Sequence, residues 1–292
     1  MNETDESCLP FSKKLAENLD DLDDRVFKMN KASLIIIDGG VGSGKTTLDV
    51  HIMDYINLKH GFEIVDLSDQ TCQLAMGGED FTKKLVVCFG RKLPACTYDE
   101  AGDFHKRGSM TRLNALINRT FETYRAFKVL VILSLPTFSV LDQDIFDKEI
   151  PRLLIHIYRR TLNQADAKCY SLKGMLRVRA KMEKLKHFKK HAFKLVEPNF
   201  FIHIKNLPSD RASALDVLST RGKIKGLKQA EIKFENLLSY TEISRKVGRS
   251  EIWVKKAVSE LKIRHVKIFE RRYYFPSSTV DALLDYMDDK GR

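Results

Sequence analysis

Leu34, Ile35, Ile36 and Ile37 form an unbroken apolar run that a cluster of glycines follows. A short β-branched run bounded in this way predicts a strand buried on both faces of a parallel sheet. The stretch TTLDVHIMDYI that begins at Thr46 repeats its apolar positions at helical spacing, so it predicts a helix. Gly61 breaks that helix, and FEIVDL (62–67) reads as a second strand. LVVCF (85–89) fits either a short strand or the buried face of a helix. Residues 95–98 predict a strand ending in Asp99-Glu100, and a helix over roughly 109–124 follows. KVLVILSLP (128–136), PRLLIHIY (151–158) and AKCYSL (167–172) predict three more strands. Strands alternating with helices imply an α/β core, a parallel sheet with helices on both faces. Ahead of it, residues 11–28 set Phe11, Leu15, Leu19, Leu22 and Phe27 partly on one face of a leading helix. That helix is expected to pack on the core; its acids (Asp20, Asp21, Asp23, Asp24) leave an acidic docking arm as the alternative.

The loop between the first strand and helix sharpens this outline. Gly39, four residues, then Gly44-Lys45-Thr46 complete the G-x-x-x-x-G-K-[ST] phosphate-binding pattern between a predicted strand and a predicted helix. Gly39, Gly40, Gly42 and Gly44 let the backbone bring N–H groups onto phosphate oxygens, with Ser43 and Thr47 completing the nucleotide-binding set. Lys45 is expected to neutralise the terminal phosphates and Thr46 to ligate Mg²⁺. Asp99, closing a later strand, is the expected partner of that metal ion, and Glu100 the general base for an attacking water. The expected cofactors are ATP and Mg²⁺.

Two stretches lie beyond this core. Between Lys173 and Lys194 the chain carries nine cations (Lys173, Arg177, Arg179, Lys181, Lys184, Lys186, Lys189, Lys190, Lys194) against one acid, Glu183. Val178, Met182, Leu185 and Ala192 recur at helical spacing, so a basic amphipathic helix is expected. It suits a phosphate backbone, an anionic membrane surface or a solvated face. Further on, Ile243, Ser244, Val247, Gly248, Ile252 and Val254 fit a helix-turn-helix pattern in which the apolar positions seat the second helix and Ser250 caps it. KIFERRYYF (267–275) alternates like a hairpin.

The whole segment resembles a winged helix-turn-helix DNA-binding domain. The resemblance puts Arg249, Ser250, Glu251, Trp253, Lys255 and Lys256 on or near a recognition helix and Arg271 and Arg272 on the wing. A small helical domain used for protein contacts is the other reading. The expected layout is an acidic arm (1–30), an ATPase core (31–172), a basic connector (173–230) and the winged-helix domain (231–292).

The order of phosphate loop, strand ending in Asp-Glu-Ala-Gly, arginine-bearing helix and strand ending near a proline also resembles the FtsK/HerA superfamily. Its compact members include zonula-occludens-toxin-like proteins and the packaging or transfer ATPases of viruses and mobile elements. The resemblance covers about half the chain. It implies a homo-oligomer, typically a hexameric ring on duplex DNA, with an arginine acting in the neighbour's site: Arg125 first, Arg119 second. Many such motors end the fourth strand in Thr-Gln; here Leu133-Ser134-Leu135-Pro136 stands there, and Ser134 is the nearest candidate for a phosphate sensor.

Composition narrows the classes. A chain of 292 residues that is 43% hydrophobic and 30% charged suits a globular protein of one α/β domain and a smaller one. No run approaches the ~18 apolar residues of a membrane span. The acidic MNETDESC start is unlike a signal peptide, so a cytoplasmic protein is expected. Five cysteines without a C-x-x-C pair argue against a zinc site or a disulfide framework. The net charge of +11 and pI near 9.3 favour a polyanionic partner. Three activities stay open: a DNA-translocating ATPase, an ATP-switched DNA-binding regulator or partition protein, and a small-molecule kinase.

Overall fold

The computed structural model describes residues 9–68, 73–76, 78–99, 128–185, 191–221, 237–263, 267–269 and 272–289. They divide into two units, Met1–Lys223 and Ile224–Arg292.

The first unit is a mixed α/β structure on a mostly parallel seven-stranded sheet. Its strands are β1 (Leu34–Gly39), β2 (Leu74–Ala75), β3 (Ala95–Asp99), β4 (Leu130–Leu135), β5 (Pro151–Arg160), β6 (Gln164–Ser171) and β7 (Phe200–Lys205), in the spatial order β2-β3-β4-β1-β5-β6-β7. β1 sits centrally between β4 and β5, parallel to both. Its residues alternate between two cores: Ile35 and Ile37 face one side, Leu34 and Ile36 the other, and all four are fully buried. Each such side chain contributes roughly 1.5–3 kcal/mol over exposure. On the first face lie α1 (Lys13–Phe27), α2 (Lys45–Lys59) and α7 (209–221). On the second lie α3 (Gly78–Arg91), α4 (Gln143–Asp147), α5 (Leu172–Leu185) and α6 (Ala192–Leu195).

α1 buries Leu15, Leu19, Leu22 and Val26, so the leading helix packs on the core. Two of its acids serve that docking: Asp20 and Asp23 pair with Lys59 at the end of α2, and Asp23 also meets His60.

Several expectations are corrected. FEIVDL is an irregular segment, because α2 takes its backbone groups: Asp54 accepts the Val65 N–H, and Asn57 holds Phe62 N–H and Glu63 O. The two-residue β2 occupies the sheet edge. LVVCF lies in α3, whose Phe81, Leu85 and Cys88 share a buried face at helical spacing. The sheet is not wholly parallel. A tight hairpin joins β5 to β6, so β6 and then β7 run antiparallel. Within the basic stretch after 172, α5 covers Leu172–Leu185 and the short α6 covers Ala192–Leu195, and residues 186–190 lie outside the described residues. α5 turns Met175, Val178 and Met182 inward, and β7 adds Ile202 and Ile204 to the core, so residues 172–205 build the same unit as the phosphate loop. The helix expected over 109–124 lies outside the described residues.

The second unit contains β8 (Leu237–Ser239), α8 (Tyr240–Val247), α9 (Glu251–Glu260), β9 (Lys267–Phe269), β10 (Arg272–Pro276) and α10 (Ser278–Asp289). β8 and β9 flank β10, antiparallel on both sides. Ile243, Val254, Ala257, Val258, Phe275 and Leu283 form its core. Among the described residues no helix is long and apolar enough to cross a membrane.

Candidate functional site

β1 delivers the chain to Gly39, and α2 starts six residues later at Lys45. A side chain at Gly39 is excluded by crowding: a Cβ would lie 2.7 Å from Ser43 Oγ and 3.0 Å from the Ile157 carbonyl of β5. Gly42 (φ 72°) and Gly44 (φ 97°) are left-handed, which only glycine adopts cheaply, and Gly44 is the residue that turns the chain into α2. The loop is held by its own groups. Ser43 N–H bonds Gly40 O at 3.2 Å, while Lys45 Nζ donates to Gly39 O at 2.8 Å and Gly40 O at 2.9 Å. Val41, at the tip, is 99% exposed. The start of α2 adds its helix dipole to this cradle.

β4 separates β1 from β3, and α2 leans across toward them. Thr46, in the first turn of α2, thereby reaches the end of β3, where its hydroxyl donates to Asp99 Oδ2 at 2.6 Å. A hydroxyl and a carboxylate are hard oxygen donors that suit Mg²⁺, an ion that takes few protein ligands beside phosphates. Among the described residues no group of three or more His, Cys, Asp or Glu forms a metal cluster; an Mg²⁺ ion held by Thr46 and Asp99 would complete its shell with water and phosphate oxygens. The residues present fit it. Glu100, Arg119 and Arg125 lie outside the described residues.

Behind this pair is an acid that the motif does not announce. Asp49, one turn after Thr46, is fully buried, and it accepts a 2.7 Å bond from the Ser134 hydroxyl of β4. Its other oxygen is buried and has no hydrogen-bond partner. Burial, with the nearby Asp99 charge, pushes the Asp49 carboxyl well above the usual carboxylate range. Ser134, the nearest candidate for a phosphate sensor, is itself fully buried and donates its hydroxyl to Asp49. β4 is a central strand, and Ser134 stands beside Asp99 in register.

Two further polar groups brace the loop. Asp38, the residue before Gly39, accepts bonds from the Phe138 N–H at 2.7 Å and from His156 Nδ1 at 2.8 Å. His156 stacks on Phe193 with ring centroids 3.5 Å apart. Arg160, at the end of β5, donates through Nη1 to Gly42 O at 2.9 Å. In the sequence, Asp49 stands as an acid amid the apolar positions of α2, whereas no motif marks Arg160.

In the second unit, Ser239 and Glu242 make a reciprocal capping box that starts α8. Gly248 (φ 67°) turns the chain, and the Ser250 hydroxyl accepts Trp253 N–H at 3.3 Å to start α9. Glu251 is tied back to Thr241 of α8 at 2.6 Å. Of the residues expected to face DNA, Arg249 lies over the Trp253 ring (5.9 Å) and Lys255 over the Tyr240 ring (5.5 Å), while Lys256 is exposed. Trp253 is half-buried against the core. Arg272 opens β10, and Arg271 lies outside the described residues. Ile252, expected to seat the second helix, is instead 81% exposed, because Val254, Ala257 and Val258 take the inward face.

No protein-family model matches the chain, and a comparison with curated proteins finds no match. Among solved structures, the N-terminal domain of zonular occludens toxin from Neisseria meningitidis is similar at 14% identity and a TM-score of 0.30. It covers 48% of this chain and 84% of that one. A DNA replication initiation factor is similar at 17% identity and a TM-score of 0.29, covering 95% of this chain and 78% of that one. At such scores neither likeness carries weight, and the P-loop reading rests on the strand order and the loop geometry.

Proposed function

We propose that this chain is a P-loop ATPase that acts on duplex DNA. The observation that carries the reading is the 2.6 Å bond between Thr46 and Asp99, which brings the two expected metal ligands together at the mouth of a glycine loop. In this reading the loop amides and the α2 terminus bind the phosphates, and Lys45 leaves the Gly39 and Gly40 carbonyls for the terminal phosphate. Thr46 and Asp99 hold Mg²⁺, which when bound neutralises phosphate charge. Glu100 orients the attacking water and takes its proton. Arg125 or Arg119 reaches a neighbouring subunit's site in a homo-oligomer.

The DNA half of the proposal rests on the second unit. A capped helix, a left-handed glycine turn, a second capped helix and an antiparallel hairpin support a winged-helix reading in which α9 enters the major groove. Arg249 and Lys256 then contact DNA with Ser250, Trp253 and Lys255 beside them, and Arg271 and Arg272 lie on the wing. The net charge of +11 agrees with a polyanionic partner.

One observation favours a second reading. Ser134 is committed to Asp49, so β4 offers no hydroxyl there to sense the terminal phosphate. That suits an ATP-switched DNA binder, which does not translocate.

The test is steady-state ATP hydrolysis by wild type, Asp99→Asn and Glu100→Gln, with and without long duplex DNA, across a salt series. Stimulation by duplex that fades with salt and vanishes in both variants supports the ATPase reading. DNA-independent turnover overturns the coupling to DNA. Nucleotide-dependent footprints without movement along the duplex select the switch.

A further inference from the structure

Arg160 belongs to the phosphate loop although it lies more than a hundred residues away in the chain. β5 pairs with β1 as far as Gly39 opposite Ile157, so the last residues of β5 continue past the end of β1, beside the loop. Arg160 pairs with Ala165 across the β5–β6 hairpin. A Cβ built on Gly44 would lie 3.8 Å from Ala165 Cβ and 4.0 Å from Arg160 Cδ, so the hairpin packs against the loop. The guanidinium then reaches Gly42 O. The hairpin end is itself braced: Thr161 N–H bonds Gln164 O at 2.8 Å, and Asn206 Nδ2 donates to Leu162 O.

Two points separate this contact from an ordinary surface hydrogen bond. Gly42 is exposed, and water would satisfy its carbonyl. An arginine there adds a permanent positive charge, and it has five N–H donors of which the Gly42 bond uses one. Second, Lys45 grips Gly39 O and Gly40 O, and it gives up both contacts when it turns to a phosphate. The bond from Arg160 to Gly42 comes from a different strand and does not depend on Lys45.

We propose that Arg160 is a second cation of the nucleotide site, supplied in cis by β5. It positions the loop through Gly42, and it turns its other N–H groups to the phosphate chain of a bound nucleoside triphosphate. The inference rests on the nucleotide reading given above and extends it to a residue outside every motif. Because the contact is with phosphates, it serves ATP, ADP and inorganic tripolyphosphate alike and is indifferent to the base.

The test measures binding of a fluorescent ATP analogue to the full chain, with ATP, ADP and tripolyphosphate as competitors, for wild type, Arg160→Ala, Arg160→Gln and Arg160→Lys. Glutamine can still donate to Gly42 O but carries no charge; lysine keeps the charge. The expected result is about tenfold weaker binding for the Ala and Gln variants, the loss of one charge-assisted contact. Lys recovers most of the affinity, and the salt dependence is shallower in the Gln variant than in wild type. The unliganded melting temperatures of the Gln and Lys variants should match, which separates binding from folding. Wild-type affinity in the Gln variant overturns the phosphate contact and reduces Arg160 to a brace. Wild-type affinity in the Ala variant overturns both roles. Failure of wild type itself to bind any of the three probes sinks the nucleotide reading instead, and this inference with it.

Discussion

Arg211→Ala tests what anchors α2, the helix that presents Lys45 and Thr46. Arg211, on the helical segment 209–221, forms a two-pronged pair with Asp54 on α2; Nη2 lies 3.0 Å from Oδ1, and Nη1 meets Oδ2 more closely. Nη2 also donates to Val65 O at 3.0 Å, and Asp54 Oδ1 accepts the Val65 N–H at 2.8 Å. The side chains are 17% and 11% exposed, so water screens the pair only slightly. Truncating Arg211 leaves Asp54 charged, largely buried and with its two charge-assisted bonds lost. Breaking a buried pair in this way costs about 3–5 kcal/mol, and the residual exposure here lowers the expectation to roughly 2–4 kcal/mol. The double replacement Asp54→Asn with Arg211→Met removes both charges while the new amide oxygen can still accept the Val65 N–H, and should recover part of that loss. Urea denaturation of the full chain at pH 7, followed by far-UV circular dichroism, reads both values. A loss below about 1 kcal/mol for Arg211→Ala, the worth of a solvated surface pair, would refute the reasoning.

Three other predictions follow the same logic. Asp49 holds its proton more tightly in the folded chain than in the unfolded one. Stability should therefore fall as pH rises from the unfolded carboxylate value of about 3.9 toward the raised folded value, by at most about 1.4 kcal/mol per pH unit for one proton. Asp49→Asn should flatten that slope in melting curves from pH 5 to 9, and parallel profiles for the two proteins would count against it. Gly39→Ala forces a Cβ onto Ser43 Oγ and the Ile157 carbonyl, an overpacking that should cost about 1–3 kcal/mol of stability in urea denaturation. Gly40→Ala, with no atom within 4 Å of its Cβ, is the matched control for stability and should unfold as wild type; equal stability of the two variants would be the contrary result. In the second unit, Ser239→Ala removes the capping box and should cost about 1 kcal/mol. The bonds from Ser239 hold the Glu242 carboxyl below its ordinary range, so this contribution is present at neutral pH and is lost as pH falls through the folded Glu242 value. Urea melts read by the fluorescence of Trp253, the single tryptophan, should show the full cost at pH 7 and a smaller one at pH 3, where the Glu242 N–H bond to the Ser239 hydroxyl still counts but the bond to the carboxylate does not.

Much of this site was legible because its rules are local. A glycine loop needs left-handed residues at particular positions, a helix start needs its cap, and both are written within a dozen residues. The spacing of Gly39, Gly44, Lys45 and Thr46 therefore located the cradle, and Ser250 the start of α9. Asp99 was legible for a related reason, as a carboxylate closing an apolar strand. The errors came where pairing decides. FEIVDL has the composition of a strand, but Asp54 and Asn57 of α2 take its backbone groups first. Ile252 has the right spacing for a buried position, but Val254, Ala257 and Val258 already fill the inward face of α9. The alternation in FIHIK (201–205) was present to be read, with Ile202 and Ile204 inward and Phe201, His203 and Lys205 outward.

The sequence by itself determined the glycine loop between β1 and α2 and the strand or helix character of most segments, FEIVDL being the exception. Those properties follow from backbone conformation and side-chain periodicity over one element. Only the tertiary structure decided the direction of β6 and β7, the burial of Asp49 beneath Thr46 and Asp99, the capture of Ser134, and the placing of Arg160 on Gly42. Each of these joins residues that are distant in the chain. The strand order β3-β4-β1-β5 brings them together, and no spacing along the chain encodes which strand ends lie side by side.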